Sequence, residues 1–183
     1  IPREDVTLGQ LIGQGGCGRV YAGSWGGSRV AVKVLRNLDE STCDESACDS
    51  VLQYEAAILA SLRHPCICTF FGITRLHTGS TAIVMELLEG DSLARLLRWE
   101  RAAEASVHGP GSAAEAKLSA ALLARIGFEA ASGIAYLHRC GYTHRDVKAA
   151  NVLLDGLAHA RVADFGIAQQ ASDAEWKATS EAT

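Results

Sequence analysis

Apolar and polar positions alternate with a period near two through the first third of the chain. Val6 to Ile12, Arg19 to Trp25 and Arg29 to Leu35 are short, partly β-branched runs punctuated by glycine, a pattern that predicts strands. Their connections, Gly13-Gln14-Gly15-Gly16-Cys17-Gly18 and Gly26-Gly27-Ser28, are tight, so the three strands form an antiparallel meander. The polar, acidic stretch from Asn37 to Ser50 reads as a loop. The period then changes. Leu52, Glu55, Leu59 and Leu62 recur at helical steps, which predicts a helix over Val51 to Leu62 that His64-Pro65 ends. Ile67 to Thr74 and Thr81 to Glu86 read as two more strands. Asp91 opens a helix near Leu93 to Arg101, and Ala102 to Ala116, with Gly109-Pro110-Gly111, reads as a flexible insertion. Lys117 to His138 is a long helix closed by Gly141. Two short apolar pairings, Val152 to Leu154 and Arg161 to Ala163, flank the turn Asp155-Gly156. The expected class is α+β, with a β-rich part up to about Leu88 and a helical part after it.

Composition narrows this only a little. With 183 residues, 48% hydrophobic and 21% charged, the chain is no disordered tract and can bury a core without disulfides. A net charge of −4 offers no basic footprint, so nucleic acid is not an expected partner. The chain starts Ile1-Pro2 with Met85 as its only methionine, and ends at Thr183 in a polar stretch, so both ends are expected to be cut. The strongest apolar run, Leu118 to Leu137, contains Arg125 and Glu129 and is expected to be a buried amphipathic helix; no membrane segment is expected within this chain. The six cysteines form no regular framework or zinc spacing, which suits small buried hydrophobes in a reducing compartment.

The chemistry begins at the glycines. Gly13-x-Gly15-x-x-Gly18 alone is compatible with a dinucleotide-binding turn, a phosphate-cradling hairpin lid or an ordinary turn. A strand-like rather than helical segment follows it, and Arg19-Val20 stand where a P-loop needs Lys-Ser/Thr. In Val30-Ala31-Val32-Lys33-Val34, Ala31 and Lys33 share one face and the valines the other. A lysine beside a small residue can reach into a cleft and bind phosphate. Glu55 lies inside an apolar helical stripe and needs a partner there, for which Lys33 is the natural candidate. Later, His144-Arg145-Asp146-Val147-Lys148-Ala149-Ala150-Asn151 precedes Asp164-Phe165-Gly166 with a short hairpin between them. Two acids and an asparagine brought together suit a proton acceptor and magnesium, which prefers oxygen ligands and bridges phosphates.

These segments, in this order, resemble a eukaryotic protein kinase domain: Gly13-x-Gly15-x-x-Gly18-x-Val20, Val30-Ala-Val-Lys33, Glu55, His64-Pro65, His144-Arg-Asp146 with Asn151, and Asp164-Phe-Gly166. The resemblance implies a two-lobe protein-kinase-like fold: an antiparallel sheet lobe with one helix over residues 1–88, hinge included, and a partial helical lobe over 89–183. It implies ATP and Mg2+ as cofactors. Lys33 would contact phosphates and pair with Glu55, Asp146 would accept the substrate hydroxyl's proton, and Asn151 and Asp164 would hold magnesium. Gly13, Gly15 and Gly18 would form the lid, and Ile12, Val20, Ala31 and Leu153 would sandwich the base. Met85 would be the gatekeeper, with Glu86 to Leu88 the hinge. Leu59, Phe70, His144 and Phe165 would form an apolar spine. Lys148, two residues after Asp146, is similar to serine/threonine kinases, whereas Ala149-Ala150-Asn151 looks tyrosine-kinase-like; the mixture resembles the tyrosine-kinase-like branch, whose members mostly phosphorylate Ser and Thr.

The partners implied are a protein substrate and an upstream activating kinase, because Arg145 resembles the arginine that pairs with a phosphorylated activation loop. Thr179, Ser180 and Thr183 are acceptor candidates there, and Cys17 is a candidate redox or electrophile site. The implied location is cytoplasmic, or the cytoplasmic part of a membrane receptor. The chain departs from the family pattern in showing no Ala-Pro-Glu motif in the 17 residues after Gly166, so it is expected to be C-terminally truncated and to expose apolar surface along Leu118 to Leu137. An ATP-binding scaffold without catalysis is the alternative function.

Overall fold

The computed structural model describes residues 1–15, 18–34, 45–106 and 118–170 and, within them, the side chains outside 45–51 and 103–106. The meander forms as its alternation predicts: β1 (Val6–Gly15), β2 (Gly18–Trp25) and β3 (Ser28–Val34) pair antiparallel in sequence. β4 (Phe70–Arg75) and β5 (Thr81–Glu86) complete a five-stranded sheet in the order β1-β2-β3-β5-β4. The central strand β3 is therefore covered on both edges. Val30, Val32, Ala82 and Val84 are buried on one face with Val6, and Ile1, Trp25, Val34 and Leu76 pack against them. Ala31 and Lys33 occupy the opposite face, also buried.

Helix α1 (Glu45–Ser61) packs against β4 and β5. It starts six residues before the expected Val51. Polar composition suggested a loop, but a polar stretch can equally be helical when the apolar stripe that anchors the helix follows it. Residues 37–44 of the expected loop lie outside the described residues. The stripe Leu52, Glu55, Leu59 and Leu62 is buried throughout. β4 is shorter than its apolar run: Ile67 leaves the sheet and bridges to Val162 instead.

The chain divides into two units. The first holds Ile1–Arg63, Cys68–Leu87 and Phe165–Ala168; the second holds His64–Ile67, Leu88–Asp164 and the strand β9 (Gln169–Gln170). In the second unit, α2 (Leu93–Ser106) runs past the expected Arg101 into the stretch read as an insertion, because Ala102, Ala103, Glu104 and Ala105 are strong helix formers. Residues 107–116 of that stretch, and Lys117 of the expected long helix, lie outside the described residues. Helix α3 (Ala120–Arg139) begins where the Ser119 hydroxyl accepts from the Leu122 amide at 3.1 Å, and Gly141, in left-handed backbone at φ 81°, closes it. Short strands follow: β6 (Tyr142–Thr143) pairs with β9, and β7 (Val152–Leu154) pairs with β8 (Ala160–Val162). Ile126, Val152, Leu154 and Ala160 form this unit's core, with Leu93, Leu96, Leu122 and Ala130 against it.

By length and composition α3 could cross a membrane. Of its twenty residues Ile126, Gly133 and Leu137 are buried, so the burial expected from the sequence is met along one narrow face alone, and Phe128 on another face stays 75% exposed. At Gly133 an added Cβ would stand 2.6 Å from the Cys66 carbonyl oxygen, so only glycine lets the His64–Ile67 segment lie this close to α3.

Candidate active site

In the first unit the site is built on β1, β2, β3, β5 and α1. Lys33 stands opposite Val20 on β2 and Ile83 on β5, in the middle of the sheet. Its ammonium donates to both oxygens of Glu55, at 2.7 and 3.0 Å. Lys33 is 5% exposed and Glu55 1%, so the pair is withdrawn from water and neither charge is tolerable there without a partner. The core-facing carboxylate expected from the helical stripe is thus met by the strand lysine.

Ala31 pairs with Met85 across β3 and β5, and Gly13 pairs with Val20, so Val20 and Ala31 lie in register with the lysine strand. Ile12 sits at the irregularity between Leu11 and Gly13 and is half exposed. The glycines form the tip of the β1–β2 hairpin, where Gly15 pairs with Gly18. A Cβ at Gly15 would meet nothing within 4 Å, and Gly18 takes φ 136°, which side-chain-bearing residues avoid. Gly16 and Cys17 lie outside the described residues. At the end of β5, the Glu86 amide donates to Thr69 O at 2.9 Å and its carboxylate accepts from the Thr69 amide at 2.6 Å.

In the second unit the site is a loop leaving α3 and the β7–β8 hairpin. The Asp146 carboxylate accepts from Lys148 Nζ at 2.6 Å and from Asn151 Nδ2 at 3.0 Å, both on Oδ2. Asn151 Nδ2 also donates to the Asp146 carbonyl at 2.9 Å. The Lys148 ammonium, chiefly, and the Asn151 amide hold the Asp146 carboxyl below the ordinary value against a partial desolvation that would raise it. Asp146 is therefore a carboxylate at neutral pH, able to take a proton. His144 is 1% exposed and acts as a brace. Its Nδ1 accepts from the Asp146 amide at 3.3 Å, so the ring proton belongs on Nε2, which donates to the Ala163 carbonyl at 3.1 Å.

Asn151 and Asp164 flank the β7–β8 hairpin, and the Ala163 amide donates to the Asn151 carbonyl at 2.9 Å. The Asn151 amide nitrogen donates twice to Asp146, so its side-chain oxygen is the atom chemically able to ligate a cation. Arg145 and Asp164 both take left-handed backbone, φ 66° and 64°, a strained choice of about 1–3 kcal/mol each that marks functional loops. Among the described residues no three His, Cys, Asp or Glu side chains gather as a metal cage. An asparagine and one aspartate suit magnesium, which keeps waters and takes substrate phosphates as its other ligands. Leu153 is half-buried in β7, and Leu88 is half-buried where the second unit begins. Leu59, His144 and Phe165 are buried, and Phe70 is partly so. Thr179, Ser180 and Thr183 lie outside the described residues.

One group escaped the sequence reading. Glu129 on α3 reaches the far end of the same hairpin: its Oε2 accepts from the Ala160 amide at 2.6 Å and its Oε1 lies 2.8 Å from His159 Nδ1. The logic that singled out Glu55 applies here too, since Glu129 lies three residues after Ile126 and four before Gly133 on a buried face.

Comparison with known proteins matches this arrangement. The family model for protein tyrosine and serine/threonine kinase covers residues 6–183. The chain is 35% identical over 170 residues to the probable serine/threonine-protein kinase drkD of Dictyostelium discoideum, covering 92% of this chain and 12% of that protein. It is 34% identical over 189 residues to the probable serine/threonine-protein kinase SIS8 of Arabidopsis thaliana, covering 96% of this chain and 16% of that one. A leaf rust 10 disease-resistance locus receptor-like protein kinase-like protein of Arabidopsis thaliana is 35% identical over 169 residues, 91% of this chain and 22% of its own length. The chain thus spans less than a quarter of these relatives. With the sheet, the lysine–glutamate pair and the aspartate loop in the family's order, the chain belongs to the protein tyrosine and serine/threonine kinase family.

Proposed function

We propose that the protein is an ATP-dependent protein kinase that transfers the γ-phosphoryl group of Mg-ATP to Ser or Thr hydroxyls of protein substrates. The observation that carries this reading is the Asp146 carboxylate held between Lys148 and Asn151. Bound Mg-ATP supplies the transferable group and neutralises its charge. Asp146 takes the proton of the attacking hydroxyl. Lys148, already 2.6 Å from that carboxylate, places a positive charge where negative charge develops. Asn151 and Asp164 supply oxygen ligands for magnesium. Lys33, fixed by Glu55, binds phosphate, and Gly13, Gly15 and Gly18 offer backbone amides to it. Ile12, Val20, Ala31 and Leu153 contact the base, with Met85 as gatekeeper. The Glu86 amide is taken by Thr69, so base recognition falls to the remaining backbone groups up to Leu88.

The Ser/Thr choice is supported by Lys148 and by the relatives named as serine/threonine kinases. The proposed lobes run over residues 1–88 and 89–183; of the two compact units, the first also takes in Phe165–Ala168, and the second takes in His64–Ile67 and resumes at Leu88. Both plain and receptor-like kinases occur among the relatives, which suits a cytoplasmic catalytic domain, free or attached to a receptor. The intact protein is expected to phosphorylate a generic Ser/Thr protein substrate with Mg-ATP, and Asp146→Asn to lose about 10²–10⁴-fold of that activity. Wild-type activity in Asp146→Asn, or ATP binding without transfer by the wild type, sinks the assignment; the latter leaves a nucleotide-binding scaffold.

A further inference from the structure

We infer that Glu129 is a positioning residue that fixes the β7–β8 hairpin on α3 and thereby sets where Asn151 and Asp164 stand for the metal; this rests on the magnesium role proposed above. The hairpin has three residue pairs, Val152 with Val162, Leu153 with Arg161 and Leu154 with Ala160. A two-stranded ladder that short has little stability of its own. What holds it to α3 is mostly the apolar contact of Val152, Leu154 and Ala160 with Ile126. Such contact has no direction. A slide of two residues along the strand keeps the same apolar face inward and displaces the flanking residues by roughly 6.6 Å.

Glu129 supplies the direction. Its two carboxylate oxygens separately engage the Ala160 amide at 2.6 Å and the His159 ring at 2.8 Å, and the group is 16% exposed. Arg125, one turn earlier on α3, reaches the same end of the hairpin, with NH2 donating to the Leu157 carbonyl at 3.2 Å and NH1 lying 2.7 Å from His159 Nδ1. Asp155 closes the turn internally, its Oδ1 accepting from the Leu157 and His159 amides at 2.9 Å each. The turn is thus rigid in itself, and Glu129 with Arg125 clamps it to the helix. Beyond the helix's C-terminus the chain continues into the loop that carries Asp146. One carboxylate therefore ties the element leading to the proton acceptor to the element bearing the metal ligands.

The test uses the intact protein with Glu129→Ala, Glu129→Gln and His159→Gln. Calorimetry with Mg2+ and a non-hydrolysable ATP analogue reads metal dependence without turnover. Hydrogen exchange without nucleotide reads the Ala160 and Val162 amides. Glu129→Ala is expected to weaken Mg2+ dependence about tenfold, the low end of what outer-shell partners contribute to metal affinity. It should also speed Ala160 exchange about tenfold. Glu129→Gln, which keeps an oxygen for the Ala160 amide, should recover most of the metal affinity. Unchanged Mg2+ dependence in Glu129→Ala, with only a lower melting temperature, makes the residue merely structural and overturns the inference. If Glu129→Ala does not fold, a shift in Mg2+ dependence in His159→Gln supports it and none overturns it. A wild type that binds Mg-ATP but transfers no phosphate refutes the kinase reading and leaves these metal and exchange measurements to decide.

Discussion

Breaking the Lys33–Glu55 pair from one side should cost far more than replacing both partners. The two side chains are 7% and 2% exposed and 2.7 Å apart. Glu55→Ala deprives a buried ammonium of its carboxylate, and breaking such a pair from one side costs about 3–5 kcal/mol. In a chain of this size each kcal/mol moves the melting temperature by about 2–4 °C, so the variant should melt roughly 6–20 °C lower. Lys33→Met with Glu55→Leu removes both charges and fills the space with apolar atoms. Such double replacements are commonly neutral or stabilising by about 1–4 kcal/mol, so the double variant should melt near or above the wild type. Thermal unfolding with and without Mg-ATP checks both halves. The double variant should recover stability while losing the ligand-induced shift that the wild type shows. A Glu55→Ala loss below about 1 kcal/mol, or a double variant no more stable than the single one, would falsify the view that burial makes this pair costly to break.

Three further outcomes follow from other contacts. Gly133→Ala places a methyl group 2.6 Å from Cys66 O and 3.1 Å from Val162 Cγ2, and should destabilise by about 1–3 kcal/mol in urea unfolding; a neutral result would mean the His64–Ile67 segment moves freely away from α3. His144→Phe keeps the ring's bulk but removes the bonds to the Asp146 amide and Ala163 carbonyl, and should cost about 1–3 kcal/mol and lower phosphoryl transfer, whereas unchanged kinetics would reduce the histidine to packing.

The third concerns acid. Burial alone would raise the carboxyl groups of Glu129 and Asp155. For Glu129 the His159 bond and Ala160 amide outweigh it, and for Asp155 the His159 and Leu157 amides do, so both are held below their ordinary values. The unfolded chain then binds more protons, so their contribution is whole above the ordinary carboxylate range of about 4–4.5 and is lost as the pH falls through the lower folded values. Glu129→Gln should flatten the fall in stability between about pH 5 and 3, and an identical slope in variant and wild type would refute the assignment.

The sequence by itself determined the elements whose signal is local. Alternation in Val30-Ala-Val-Lys33-Val34 set the strand and its two faces, and a carboxylate inside the Leu52–Leu59–Leu62 stripe announced a buried ion pair with Lys33 as its natural partner. The order of glycine, lysine, glutamate and aspartate motifs carried the family, because each motif is a fixed spacing along the chain. Boundaries were less legible. Polar residues 45–50 turn out helical, and Ala102–Ser106 extend α2, since composition alone does not distinguish a solvated helix face from a loop.

Only the tertiary structure decided which distant groups meet. It brought Ile67 to Val162 and away from the sheet, seated His64–Ile67 against Gly133, and set the His144 proton by the two carbonyl and amide partners around the ring. It also brought Glu129 to Ala160, thirty-one residues on. None of these contacts has a period or a spacing. They arise because buried polar groups must find partners wherever packing leaves them, and that choice is made by the whole fold rather than by neighbours in sequence.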